Sequence, residues 1–365
     1  MPQQDVRSLG VEEEFLLVRG PVSRLSTEGD DVVERADELD ADAQFEHEFK
    51  RAQAELASPP TRSLPDLLAD LRRLRAEMAT AARTEGARLV ATASSPLRDR
   101  PRTTDDERYR RMNRQFGLLA REQLTCGMHV HVSVESPAEG VAAIDGIRPW
   151  LSLLTALSAN SPLYRGQDTG YASYRTVLWG QWPTAGPTAS FRDEDEYDDL
   201  VHDLVSIGAA ADDAMIYFDA RLSRKYPTIE IRVCDVCARA EDAVVIAALC
   251  RALVETAVRR SGDGLARLRP ELLRGASWRA ARYGMSGELA DLTGPRVRLR
   301  PAWDVVDALL EHAGPALDDA GDQAMATDGL RRIRERGNGA EAQRSAYAEG
   351  GVEAALSAVV VAPSG

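Results

Sequence analysis

Lysine is nearly missing from this chain of 365 residues: Lys50 and Lys225 are the only two. No Gly-x-x-x-x-Gly-Lys-Ser/Thr run exists, so a nucleotide would have to be held without a P-loop. Cysteine is scarce as well. Cys126, Cys234, Cys237 and Cys250 are too few to staple a chain of this length, which fits a reducing compartment. Net positive charge is lacking. The formal charge is −13, whereas nucleic acid and anionic membranes select basic surfaces that displace counterions. Apolar runs such as 244–250 fall well short of a membrane span, and Met1-Pro-Gln-Gln-Asp-Val-Arg7 carries no apolar leader core. These absences predict a cytoplasmic protein with neither nucleic acid nor membrane as a partner. An anionic small substrate stays open, because metals and a few arginines can reverse the field locally.

What is present can build a large core: 44% of the residues are hydrophobic. Strand-like segments are predicted at 8–19, around 45–57, and at 87–93, 125–135, 214–222 and 226–236. Ser63-Leu-Pro-Asp66 reads as a helix start with a capping serine and an early proline; Leu67, Leu68, Leu71, Leu74 and Met78 recur at helical spacing until Gly86. Further helices are predicted at 140–159, 194–207, 240–261, 302–313, 327–335 and 341–360, so the C-terminal third reads as all helix. The stretches 94–106 and 160–188 read as long ordered loops, which in compact domains usually carry function. With no internal repeat and no clear boundary, the prediction is one α+β domain over 1–365, sheet-rich to 239 and mainly helical from 240.

Three strands share one design. In Val11-Glu-Glu-Glu-Phe-Leu-Leu-Val18, strand alternation puts Glu12 and Glu14 on one face, with Glu13 among Val11, Phe15 and Leu17 on the other. Glu13 is therefore expected in a structural ion pair. In Gly127-Met-His-Val-His-Val-Ser-Val134, His129, His131 and Ser133 share a face, and in Thr228-Ile-Glu-Ile-Arg-Val-Cys-Asp235 so do Glu230, Arg232 and Cys234. A solvated face usually carries Thr, Lys, Ser and Gln; these carry short-reach metal ligands, one arginine and small residues. Carboxylate-rich sites with an imidazole suit Mg²⁺ or Mn²⁺, hard ions that act with substrate phosphates. The His-x-His pair also suits zinc, but the remaining histidines, His47, His202 and His312, supply no further ligand set. Cys234-Asp-Val-Cys237 is a lone pair without a partner motif and reads as two small residues at a strand end. Glu48 and Glu55 lie seven apart, on one face of a helix but on opposite faces of an unbroken strand, so a bulge or break is required if both are to meet one site.

Taken together, Gly10-Val-Glu-Glu-Glu-Phe15, Phe45-Glu-His-Glu-Phe-Lys-Arg-Ala-Gln-Ala-Glu55, Cys126-Gly-Met-His-Val-His-Val132, Trp182-Pro-Thr-Ala-Gly-Pro187 and Pro227-Thr-Ile-Glu-Ile-Arg-Val-Cys-Asp235 resemble the glutamate–cysteine ligase type 2 family, the YbdK-like carboxylate–amine ligases. The resemblance extends through Asp168-Thr-Gly-Tyr-Ala-Ser-Tyr-Arg175, Trp278-Arg-Ala-Ala-Arg-Tyr-Gly284 and Arg336-Gly-Asn-Gly-Ala340, nearly the whole chain. It implies a glutamine-synthetase-like curved antiparallel sheet with flanking helices, and a reaction that uses ATP and Mg²⁺ or Mn²⁺ to form an amide or γ-glutamyl bond between small amino-acid-like substrates through an acyl phosphate, with glutamate and cysteine as the implied pair and another amino acid or a specialised-metabolite acid and amine as the alternative. It further implies metal ligation by Glu12, Glu14, Glu48, Glu55, His129 and Glu230, catalytic roles for Glu230 and Arg232, and ATP or substrate binding by Arg165, Arg175, Arg221, Lys225, Arg232 and Arg282. A homo-oligomer is implied by resemblance only. Tyr171, Tyr174, Trp179 and Trp182 are candidates to line the pocket or to pack its loop. Two other classes remain open on the residues: a phosphotransferase on the same scaffold, and a non-catalytic nucleotide- or metal-binding protein. The presence of Glu12, Glu14, Glu230 and Arg232 together speaks against the second.

Overall fold

The structure is a computed structural model that describes residues 6–20, 24–40, 43–260 and 268–363. Its strands are β1 (Leu9–Arg19), β2 (Arg24–Leu25), β3 (Gln44–His47), β4 (Gln53–Ala57), β5 (Ala87–Val90), β6 (Gly127–Ser133), β7 (Leu163–Tyr164), β8 (Gln167–Asp168), β9 (Ala220–Leu222), β10 (Thr228–Asp235), β11 (Glu288–Asp291) and β12 (Arg298–Pro301). Eight of them form one antiparallel sheet in the order β3-β4-β1-β6-β10-β9, with β2 and β5 also paired to β1. This is the α+β architecture that the alternating segments predict.

One sheet face is sealed by helices. Ser63 caps helix Leu64–Thr84 by accepting a hydrogen bond from the Asp66 N–H at 3.3 Å, and the helix buries Leu67, Leu71, Leu74 and Met78. Helix Ala240–Arg259 is buried along most of its length and packs against β6, β1 and neighbouring helices. At about 25 cal/mol per Å² of apolar surface removed from water, this layer is the main source of stability.

The structure alters several expected elements. The strand expected around 45–57 is a hairpin: β3 turns at 48–52 and returns as β4, with Glu46 opposite Glu55. The helix expected over 140–159 is two, Pro137–Ile147 and Leu151–Ser158, because Pro149 has no N–H to donate and a short 3₁₀ turn intervenes. Strand character in 214–222 is confined to β9. The C-terminal third is not all helix, since β11 and β12 form an antiparallel hairpin. The stretch 160–188 holds β7, β8 and helix Tyr174–Trp179. Helices Gly29–Leu39, Glu107–Phe116 and Pro270–Tyr283 were not foreseen. Residue 261, the end of one expected helix, lies outside the described residues. Among the described residues no helix is long and apolar enough to cross a membrane.

Candidate active site

Strand register brings the acidic residues together. Glu12 of β1 pairs with His129 of β6, Glu14 of β1 with Glu55 of β4, and Glu230 of β10 with His131 of β6. Because side chains alternate, these cross-strand partners share the face that the helices leave open. The hairpin turn supplies the break that Glu48 requires: Glu14, Glu48 and Glu55 each offer an oxygen within a span of 4.8 Å. Two more sets of the same size, Glu12–Glu55–His129 and Glu12–His131–Glu230, continue the row. Glu13 points the other way. It is fully buried and accepts from Arg75 Nε at 2.7 Å, while Arg75 also caps the Cys237 carbonyl at 3.0 Å.

The open face floors a cavity of about 380 Å³ whose walls include Gln53, Arg108, Tyr109, Trp179, Trp182, Tyr217, Arg221 and Lys225. Charge on the floor is unevenly balanced. At one end Glu230 lies under two guanidinium groups: Arg221 Nε donates to it at 2.7 Å and Arg232 Nη1 contacts it directly. Burial would raise its pKa, but Arg232 and Arg221 outweigh that and hold the carboxyl well below the usual range. At the other end, burial and the neighbouring Glu48 push Glu14 up to about 7 and Glu55 well above its ordinary value. Burial, reinforced by Arg232, lowers His129 to about 4, so its ring is neutral near pH 7 and its 3.2 Å contact to Glu12 is a hydrogen bond rather than an ion pair.

This arrangement suits a cation. The buried Nε2 atoms of His129 and His131 have no hydrogen-bond partner, although the first lies 3.8 Å from Glu14 and the second 3.1 Å from Glu12. Crowded carboxylates with orphaned imidazole nitrogens are the donor set of a divalent metal centre, and the same crowding is unfavourable without one.

Arg232 stands beside an irregularity in the sheet. The β10–β6 register shifts between Ile231 and Cys234, while on the other edge the Arg232 N–H donates to the Asp219 carbonyl at 2.9 Å and carries the β10–β9 register one residue further. Its guanidinium lies 5.8 Å from the Trp179 ring and 5.7 Å from the Tyr217 ring.

The sequence comparison decides the family, with the profile of glutamate–cysteine ligase family 2 matching residues 8–358. The chain belongs to this family. A Frankia alni protein provisionally named glutamate–cysteine ligase 2-2 is 48% identical over 96% of this chain and 95% of its own length. The fold is similar to that of a glutamate–cysteine ligase from Francisella tularensis solved in complex with AMP, at a TM-score of 0.67 and 14% identity, covering 97% of this chain and 88% of that one. A bifunctional glutathione synthetase from Pasteurella multocida gives a TM-score of 0.69 at 15% identity; 97% of this chain matches, spanning 52% of that larger protein. Family membership makes this chain an ATP-dependent carbon–nitrogen ligase.

Within this family member, the structure gathers Glu12, Glu14, Glu48, Glu55, His129, Glu230, Arg221, Lys225 and Arg232 around one cavity. Arg175 is buried beneath the floor, with Nη2 3.3 Å from the Arg232 carbonyl; its guanidinium passes so close to Gly127 that a β-carbon there would lie 2.3 Å away. Arg165 and Arg282 do not line the cavity. Arg165 pairs with Glu122 at 2.8 Å on the surface, and Arg282 caps the Gly170 carbonyl beside Tyr171 and Tyr283. Trp179 and Trp182 reach the cavity, whereas Tyr171 and Tyr174 pack on each other with ring centroids 5.8 Å apart. The sequence-derived site set lacks His131, although strand parity had put it on this face. It also lacks Arg108 and Tyr109, which arrive on an unforeseen helix. All four cysteines are free and buried, so Cys234 and Cys237 form neither a disulfide nor an exposed thiol pair.

Proposed function

We propose that this face joins an amino-acid carboxylate to an amine through an acyl phosphate, with glutamate as the acid and cysteine as the amine, the substrates that the relatives' names suggest. The observation that carries the reading is the polarity of the floor. A row of carboxylates and imidazoles gives way within one strand to Arg232, so cation sites stand next to a fixed guanidinium.

Glu12, Glu14, Glu48, Glu55, His129 and Glu230 would hold Mg²⁺ or Mn²⁺, which would supply positive charge to offset that of the phosphates. Arg232 is held by Glu230, Trp179 and Tyr217, so it meets charge on the moving phosphoryl group without reorganising. Glu230, kept ionised by two arginines, aims both guanidinium groups and offers an oxygen to the cation row. The substrate carboxylate oxygen attacks the γ-phosphorus and ADP leaves; the amine nitrogen, as the free base, then attacks the acyl carbon, the C–O bond to phosphate breaks, and the nitrogen's proton leaves with the phosphate. No side-chain nucleophile is needed. A second, largely apolar cavity of about 410 Å³, lined by Gly10, Val11, Pro59, Pro60 and Tyr226, shares Glu12, His131 and Tyr226 with the first. It offers a place for the adenosine end of ATP.

Glutamate labelled with ¹⁸O in its side-chain carboxylate should pass one ¹⁸O to each phosphate released when cysteine and ATP are supplied. Turnover to a peptide product with unlabelled phosphate would rule out the acyl phosphate, and label in phosphate without an amide would favour a phosphotransferase.

A further inference from the structure

Behind the wall formed by Trp179, Trp182, Tyr217 and Arg232 lies a separate cavity of about 470 Å³; those four residues line both. Its far side is built by helix Pro270–Tyr283, which contributes Arg274, Ser277 and Trp278, and by Asp219 from the segment leading into β9. Asp219 and Arg274 are a mismatched pair of opposite charges. Among the described residues the Asp219 carboxylate accepts no hydrogen bond and has no cation within 4.0 Å, and Arg274 likewise has neither a hydrogen-bond acceptor nor an ion-pair partner. Each nonetheless lines the same space, and Arg274 is the leading charge acting on Asp219. The Asp219 backbone is fixed at both ends: its N–H donates to the Gly186 carbonyl at 3.0 Å and its carbonyl receives the Arg232 N–H. Gly186, at φ +115°, leaves room for Arg274, whose Nη2 would lie 3.6 Å from a β-carbon there. Arg175, 2% exposed, lines the cavity with a buried Nε that has no hydrogen-bond partner.

Asp219, half-buried, and Arg274, exposed to solvent, line one cavity as unpaired opposite charges, complementary to a molecule that carries both. We propose that this second cavity binds the amine substrate as an α-amino-acid zwitterion, Asp219 receiving its ammonium and Arg274 its carboxylate, and that Arg232 is the boundary it shares with the phosphoryl site; this rests on the ligase reading above. A partnerless carboxylate favours the amine over the acid component, because it repels a carboxylate approaching the phosphates and attracts an ammonium. Burial pushes Asp219 up to about 7 despite Arg274 and Arg175, in keeping with a carboxyl that has no bound cation. The aromatic ring of Trp278, half exposed at 49%, is available to cover the amino-acid side chain.

The test uses the full-length protein with ATP, Mg²⁺ and L-glutamate, offering hydroxylamine and each of the twenty standard amino acids as amine. Hydroxylamine has no carboxylate and needs no zwitterion site. In Asp219→Asn and Arg274→Ala, the expected result is a KM for the best amino-acid amine raised at least tenfold, a KM for glutamate changed less than twofold, and an amide-to-hydroxamate ratio lowered at least tenfold. Arg274→Lys should recover part of the loss. An unchanged ratio in folded variants, a rise in the glutamate KM instead, or hydroxamate formation by the wild type with no amino acid accepted would each overturn the proposal. Absence of hydroxamate from the wild type would instead overturn the acyl-phosphate reading, and the inference with it.

Discussion

The two faces of β1 use the same residue to opposite ends. On the helix-covered face Glu13 is a completed interaction: fully buried, bonded to Arg75, and surrounded by Val11, Phe15 and Leu17. On the open face Glu12 and Glu14 face Glu48, Glu55, His129 and His131, with more negative charge than local cations balance at the Glu14 end. A finished pair belongs to the fold; the unfinished cluster is where the proposed cation would bind. Strand parity alone thus sends neighbouring glutamates in one run to a covered and an open face.

The comparison breaks most sharply if the open face can lose charge without cost to turnover. Glu230→Gln and Arg232→Ala should each lower ATP-dependent product formation by a thousandfold or so, since fixed charge at a phosphoryl-transfer site is worth about 10²–10⁵ in rate, while circular dichroism shows both still folded, at a melting temperature lowered because the two residues form a buried pair. Glu13→Ala should do the reverse. Removing one partner of a buried pair typically costs about 3–5 kcal/mol, so denaturant unfolding should show a large loss of stability.

A smaller effect follows from pH. Glu14 and Glu55 have folded pKa values above those of the unfolded chain, so their contribution favours folding below about pH 4.5 and is lost as pH rises through about 7. In metal-free protein the melting temperature should carry a term that falls between pH 5 and 8. Glu14→Gln should reduce that term, and Mg²⁺ should recover stability at the upper end. A pH dependence unaltered in Glu14→Gln would remove the crowded cluster from this explanation. The smallest change is expected outside the site: Arg165→Ala removes an exposed ion pair with Glu122, worth about 0–1 kcal/mol, and a contact with the Tyr164 ring, and should leave the KM for ATP within twofold.

Most of the site was legible because a strand has period two. Glu12, Glu14, His129, Glu230 and Arg232 share a face on that ground, and Glu13 is excluded by it. His131 follows from the same parity. What could not be read was set by long-range geometry. The turn at 48–52 reverses the chain and brings Glu48 back to Glu14; no local pattern distinguishes it from a bulge. Arg165 and Arg282 stand in recognisable motifs, but adjacency in sequence to a motif does not imply reach into the cavity. Helix Glu107–Phe116 offers only Tyr109, Met112 and Phe116 as apolar positions, too few for its period to emerge from a charged run. The hairpin of β11 and β12 is short: β12 is largely exposed, and the buried positions of β11 are Leu289 and the charged Asp291, so no apolar alternation marks either strand.

The most direct measurement is Mn²⁺ binding followed by electron paramagnetic resonance, with and without ATP, in the wild type, Glu14→Gln and Glu13→Gln. The expected result is saturable Mn²⁺ binding in the wild type that tightens with ATP, a loss of at least tenfold in affinity in Glu14→Gln, and wild-type affinity in whatever fraction of Glu13→Gln folds. Equal affinity in Glu14→Gln and the wild type would contradict the division of β1 into a structural face and a metal face.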